Sequence, residues 1–165
     1  AALTASLGDR PNLAFARWGM GNALLAGGDH SGAADAFDHA LALAEELGMA
    51  ALATESLAGL ARVALARGDL AAATGRAERI LAALHADGSL DGMEEALWVP
   101  QSCHAALAAA GDPRAAAVLE LAHAALQARA ARLPEGEPRR RFLEAVPWHR
   151  AIVAALRAGG GEPRA

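Results

Sequence analysis

The sequence predicts an all-α fold, an α-solenoid built by stacking antiparallel helix pairs. Three observations carry that expectation. A Gly-Asp turn recurs at Gly28-Asp29, Gly68-Asp69 and Gly111-Asp112, spaced 40 and 43 residues apart, and similarity at a fixed period marks stacked repeats. Alanine makes up more than a quarter of the 165 residues, with leucine next, and both are strong helix formers. Tyrosine is absent and Phe and Trp are few. No run alternates apolar with polar residues as a half-buried strand would.

Ala1 to Leu7 read as the end of a helix closed by Gly8 at C′. Gly8 precedes Asp29 by the same 21 residues that separate Gly48 from Asp69. Residues 1–8 are therefore expected to be the remnant of a preceding repeat, and the chain to be a piece of a longer protein. Repeats are expected over 10–48, 49–88 and 90–132. Pro11 suits the first turn of a helix, and Leu13, Ala16, Met20, Ala23, Leu24 and Ala26 give an inward stripe at helical spacing. Asp29 caps the next helix, with Ala33, Phe37, Ala40, Leu41 and Ala44 inward. The third helix runs from Ala50 to Arg67 and buries Leu57, Leu60, Ala61 and Ala64. Asp69 caps the fourth, whose apolar face is Ala73, Ala77, Ile80, Leu81 and Leu84. His85 to Gly92 is expected as a loop. Glu94 to Ala110 is helical, with a kink or a delayed start at Pro100. Asp112-Pro113 combines an N-cap with proline at N1, opening a helix to Arg132. The run Leu133-Pro-Glu-Gly-Glu-Pro138 breaks the pattern. Two capping helices over 133–158, Arg139–Ala145 and Pro147–Arg157, and a disordered tail at 159–165 complete the expected layout.

Bulk properties narrow the function classes. A net charge of −4 argues against a broad nucleic-acid footprint. A single cysteine, Cys103, cannot form an internal disulfide, which fits a cytoplasmic protein. No stretch approaches the roughly twenty apolar residues of a membrane span, and no signal peptide is visible. Every basic residue is Arg, a bias that GC-rich coding produces and that points to a bacterial source.

The repeats resemble the tetratricopeptide repeat, a helix–turn–helix of about 34 residues. Met20-Gly21 stands at that family's Leu-Gly, Gly28-Asp29 at its turn, and Ala33, Phe37 and Ala40 at its Ala, aromatic and Ala. The second repeat keeps Leu60-Ala61, Gly68-Asp69 and Ala73, with Ala77 and Ile80 at the last two places. The third keeps Gly111-Asp112 and Ala116 but departs at His104, Glu120 and His123. The longer period, and the closing run through Arg139-Arg-Arg-Phe-Leu-Glu-Ala-Val-Pro-Trp-His-Arg150, are similar to the arrays of large bacterial ATPase-linked regulators. Independently of the family, each two-helix unit is apolar on both sides and buries its surface only by stacking on neighbours.

The resemblance implies a concave groove lined by the first helix of each repeat. Its positions fall on Phe15, Trp18 and Asn22, on Glu55, Arg62 and Leu65, and on Trp98 and Gln101. Trp and Arg are enriched as interface anchors, and Asn22 and Arg62 suit a carboxylate or a peptide amide. Trp18 and Trp98 serve equally well to fill the groove between repeats, so both roles stay open.

Other constellations are weak. The histidines are scattered, with no His-x-x-x-His pair, so no metal ligand set and no cofactor is expected. Cys103 and His104 are adjacent and point to different helix faces, which does not suit a nucleophile and its base. Gly159-Gly-Gly161 precedes neither strand nor helix, unlike a phosphate loop. Arg139-Arg-Arg141 with Arg129 and Arg132 reads as a solvated face pairing with Glu135 and Glu137. The expected function is a protein- or peptide-binding scaffold within a larger bacterial signalling or transcription regulator, not an enzyme. The alternative is a small-molecule effector sensor in the same regulator. No direct contact with nucleic acid or membrane is expected, and the N-terminal helices, with Leu3, Leu7 and Leu13 near an open edge, are a candidate homodimer surface.

Overall fold

The computed structural model describes residues 2–87, 93 and 96–159, and these form helices with no strand. The helices are α1 (Ala2–Ala26), α2 (His30–Glu46), α3 (Ala50–Ala66), α4 (Leu70–Asp87), α5 (Trp98–Ala109), α6 (Arg114–Ala130), α7 (Glu137–Ala145) and α8 (Pro147–Gly159).

The recurring glycines set the turns. The chain leaves α1, α2, α3 and α5 through Gly28, Gly48, Gly68 and Gly111, with φ of 82°, 69°, 74° and 69°. In the first turn Gly28 N–H donates to Leu25 O at 3.1 Å and Asp29 N–H to Leu24 O at 2.9 Å, and the other three repeat this pair of bonds. Such a helix ending needs one left-handed residue, which glycine adopts at least cost. The carboxylates of Asp29 and Asp69 then each accept the N–H three residues on at 2.9 Å, capping α2 and α4. Asp112 accepts from Arg114 N–H instead, also at 2.9 Å, and α6 starts only at Arg114. Proline at 113 has no N–H to offer.

Consecutive helices pack against each other from α1 to α6. In addition α1 touches α3 and α3 touches α5, whereas α2 does not reach α4 and α4 does not reach α6. The odd-numbered helices thus form an inner layer and the even-numbered ones fan apart outside it, so the α1–α3–α5 side is concave. At the far end α8 packs on α5, α6 and α7. Leu97, Leu119, Leu126 and Ile152 bury themselves there, against Phe142, Leu143 and Trp148.

Phe37 is the centre of the main core and is fully buried. It lies in a slot between two glycines of neighbouring helices. A Cβ built on Gly21 of α1 would meet its ring at 2.7 Å, and one on Gly59 of α3 at 2.5 Å. These two close approaches set how α1 and α3 rotate about their axes.

That rotation corrects the expected stripe of α1. Leu13 and Met20 are 46% and 48% exposed, and Ala16, Ala23 and Ala26 are exposed too. The face turned inward carries Ala14, Gly21 and half-buried Trp18, Leu24 and Leu25. Small residues at 14 and 21 let α2 come close, and the Phe37 ring wins over the larger side chains on the opposite face. The expected break at Gly8 is also absent: α1 is continuous through Gly8 and Pro11. Packing along α2, with the Arg10 guanidinium gripping Glu46, overrides the local preference to stop.

Elsewhere the boundaries move by small steps. Pro100 delays α5, as its place in the first turn allows: the N–H it lacks would have no partner there. The predicted loop enters the helix, since α4 reaches Asp87; residues 88–92 lie outside the described residues, as do 94 and 95 and the tail from 160. α7 begins two residues earlier than expected, at Glu137, and α8 extends to Gly159.

Candidate functional site

A cavity of about 560 Å³ opens on the concave side. Five helices build it, the three of the inner layer with α2 and α8. α1 supplies Trp18, Asn22, Leu25 and Ala26, α2 its first residue His30, α3 Arg62 and Ala66, α5 its first residue Trp98, and α8 Pro147 and Trp148. Spacings of four, three and one put the α1 residues on one helix face, and a spacing of four does so for the α3 pair. The chain holds three tryptophans, and all of them line this one cavity.

Each wall has a local cause. Trp98 is 6% exposed and stands 6.4 Å from Phe37, centroid to centroid, so the glycine slot that seats Phe37 also seats Trp98. Trp148 arrives through a backbone switch. Val146 is extended (φ −81°, ψ 123°), as a residue before proline prefers, and this ends α7 and starts α8 at Pro147. His149 anchors the far side of that switch. Its Nδ1 donates to Phe142 O at 2.8 Å, and its ring lies 4.4 Å from the Phe142 ring.

Arg62 is the one guanidinium in the lining among the described residues. Its carbon lies 5.5 Å from the centroid of the Trp98 ring, a cation–π distance. Its Nη1 donates to Gln101 Oε1 at 2.6 Å and to Ser102 Oγ at 3.3 Å. Ser102 Oγ is itself held, donating to Trp98 O at 2.7 Å. Burial lowers the Arg62 pKa from its ordinary value, yet a guanidinium stays charged at any ordinary pH. Among the described residues no carboxylate pairs with it. A second donor is also unsatisfied: Trp18 Nε1 is buried and finds no acceptor. Among the described residues the lining contains no Asp or Glu.

The structure brings together four of the eight groove residues read from the sequence: Trp18, Asn22, Arg62 and Trp98. Gln101 stands behind them, holding Arg62. Leu65 is half-buried against the core instead. Glu55 is 1% exposed on α3 and Phe15 is 39% exposed on α1, both away from the lining. His30, Leu25, Pro147 and Trp148 were not read as site residues. The available signal for Trp148 was its rarity, as one of so few tryptophans placed just after a proline break.

The remaining candidates are structural. Cys103 is fully buried, its thiol donates to Ala77 O at 3.6 Å, and burial pushes its pKa up to about 12. A thiol held protonated is a poor nucleophile. His104 Nδ1 donates to Ala115 O at 3.0 Å, tying α5 to α6. Among the described residues no three His, Cys, Asp or Glu side chains gather as a metal site would require, and no helix is long and apolar enough to cross a membrane. Arg139 and Arg140 pair with Glu135 and Glu137, at the surface. Compared with protein-family models, with curated proteins and with solved structures, the chain matches none, so what can be said of the site rests on its own residues.

Proposed function

We propose that the chain is a binding module of the tetratricopeptide-repeat kind, which takes a protein or peptide segment on its concave α1–α3–α5 face. On this proposal it serves as a scaffold within a larger bacterial, cytoplasmic signalling or transcription regulator, and it catalyses no reaction. The observation that carries it is the gathering of all three tryptophans with Arg62 in one cavity of that face. Trp and Arg are the residues most enriched among binding hot spots, and here they converge from three repeats and the C-terminal end. A second copy of the chain, docking through the outer face of α1, is a further partner under the same proposal.

One observation favours the alternative, an effector-sensing domain. Pro147 and Trp148 of α8, which packs on α5, add a further wall to the groove at that end. The size of the cavity falls within the roughly 300–1,000 Å³ of small-molecule pockets. Selection of peptides from a displayed library, on the chain and on its Trp18→Ala and Arg62→Ala variants, tests the peptide reading. Enrichment of a common motif that both variants lose is the expected result. Enrichment that survives in both variants, or no enrichment at all, would overturn it.

A further inference from the structure

Among the described residues the chamber offers a cation and apolar surface but no negative charge. Arg62 keeps a full positive charge half-buried beside an indole, with only the neutral oxygens of Gln101 and Ser102 as partners. A charge removed from water is retained cheaply only when an opposite charge joins it. Trp18 contributes a wall of the cavity, its Nε1–H being turned into the packing. Among the described residues the lining includes neither Asp nor Glu, although the protein is net acidic, at −4. What would satisfy Arg62 is an anion that brings acceptor oxygens. The walls define the rest of the guest. Indoles from α1, α5 and α8 present apolar surface on separate sides, which favours a flat, apolar body. Among the described residues one guanidinium is the only permanent cation in the lining, so a monoanion is matched and a phosphate dianion is not.

Resting on the proposed binding role of the concave face, we infer that the chamber is a receptor site for an organic carboxylate carried on a flat apolar body, with Arg62 as its counter-ion. A fork of guanidinium donors suits a carboxylate's two oxygens. The cation–π contact with Trp98 and the bond to Gln101 hold that fork in place before the guest arrives. The same chemistry is carried by a free aromatic acid and by the C-terminal carboxylate of a chain ending in an aromatic residue.

The test is calorimetric titration of the whole chain with 2-naphthoate and with its neutral analogue 2-naphthamide, beside the indole N–H signals in nuclear magnetic resonance. The acid is expected to bind at least about tenfold more tightly than the amide, a factor that corresponds to about 1.4 kcal/mol. The Trp18 indole signal, assigned with Trp18→Phe, shifts as the acid fills the cavity that Trp18 lines. In Arg62→Gln, checked for unchanged helicity, the two probes bind alike. A peptide ending in free Phe and its C-terminal amide form the second arm. Acid preference seen only for the peptide assigns the carboxylate to a chain terminus, and preference seen only for naphthoate assigns it to a small molecule; either result supports the site. Equal binding of acid and amide in both arms, or a preference that survives Arg62→Gln, would overturn the carboxylate site and leave the groove as a peptide surface. Loss of peptide selection in the library experiment, with the acid preference intact, would remove the peptide reading and leave this one.

Discussion

Gly59 and Gly75 should respond in opposite ways to the same substitution. Both sit inside helices, where alanine is favoured over glycine by about 1 kcal/mol. A Cβ on Gly75 meets nothing within 4 Å, whereas one on Gly59 would stand 2.5 Å from the Phe37 ring. Phe37 is fully buried and has no room to retreat, and overpacking a filled core costs about 1–3 kcal/mol. Gly75→Ala is therefore expected to raise the thermal midpoint and Gly59→Ala to lower it. Phe37→Ala should cost more still, about 3–5 kcal/mol. Equal shifts for the two glycine variants would show that no slot constrains Phe37. The slot also marks what a sequence hides. Phe37 was legible as an inward residue from its helical spacing, but Gly21 and Gly59 carry no hydrophobic signal. Without them the apolar stripe on α1 pointed to Leu13 and Met20, the wrong side. Trp18, Asn22, Arg62 and Trp98 were legible because groove positions follow the repeat; Glu55 and Phe15 were not separable from them, because burial depends on that same helix rotation. Cys103 yields a second prediction at this scale. With its thiol fully buried and pushed up to about 12, it should resist a thiol reagent in the folded protein and react fully once the chain is unfolded. Rapid labelling of the native protein would contradict that burial.

At the scale of elements, the turns were the easiest part to read and α8 the hardest. Gly-Asp encodes a left-handed residue followed by a cap, a local requirement that the sequence states outright. The reach of α8 into the groove depends on tertiary packing of Phe142, His149 and Ile152, which no local pattern specifies. His149 makes this element pH-sensitive. Burial holds its pKa below the ordinary value; the bond to Phe142 O opposes that shift and the Arg129 charge adds to it. In the unfolded chain the ring titrates near about 6.5. Above that pH both states are neutral and the ring contributes nothing to the pH dependence. As pH falls below it the unfolded chain takes up the proton first, so stability declines until the folded pKa is passed. Thermal unfolding followed between pH 7.5 and 5, about the range where histidine titrates, should show a loss of stability that His149→Gln reduces. Parallel pH profiles for the two proteins would mean that the ring does not discriminate between folded and unfolded states.

At the scale of the whole molecule, stacking covers one side of every inner helix except the outer flank of α1. On that flank Leu13 and Met20 are 46% and 48% exposed. Leu13 and Met20 are seven residues apart, two helical turns, so they lie on one face, and exposed Ala16 and Ala23 lie along it. Small residues between larger ones let a second helix approach closely, and a contiguous apolar patch on a surface marks an interaction site. Across this solenoid the same kind of face is covered wherever a neighbouring helix exists, as when α3 packs on α1. Self-association through α1 is the expected outcome for the chain in isolation. Light scattering over a concentration series should report a mass above that of the 16.7 kDa monomer, and Leu13→Glu with Met20→Glu should return it to the monomer. Neither residue touches the cavity, so the double variant should still bind whatever the tryptophan chamber binds. A chain that stays monomeric throughout the series, or an assembly indifferent to both glutamates, would show that the outer flank of α1 is ordinary solvated surface.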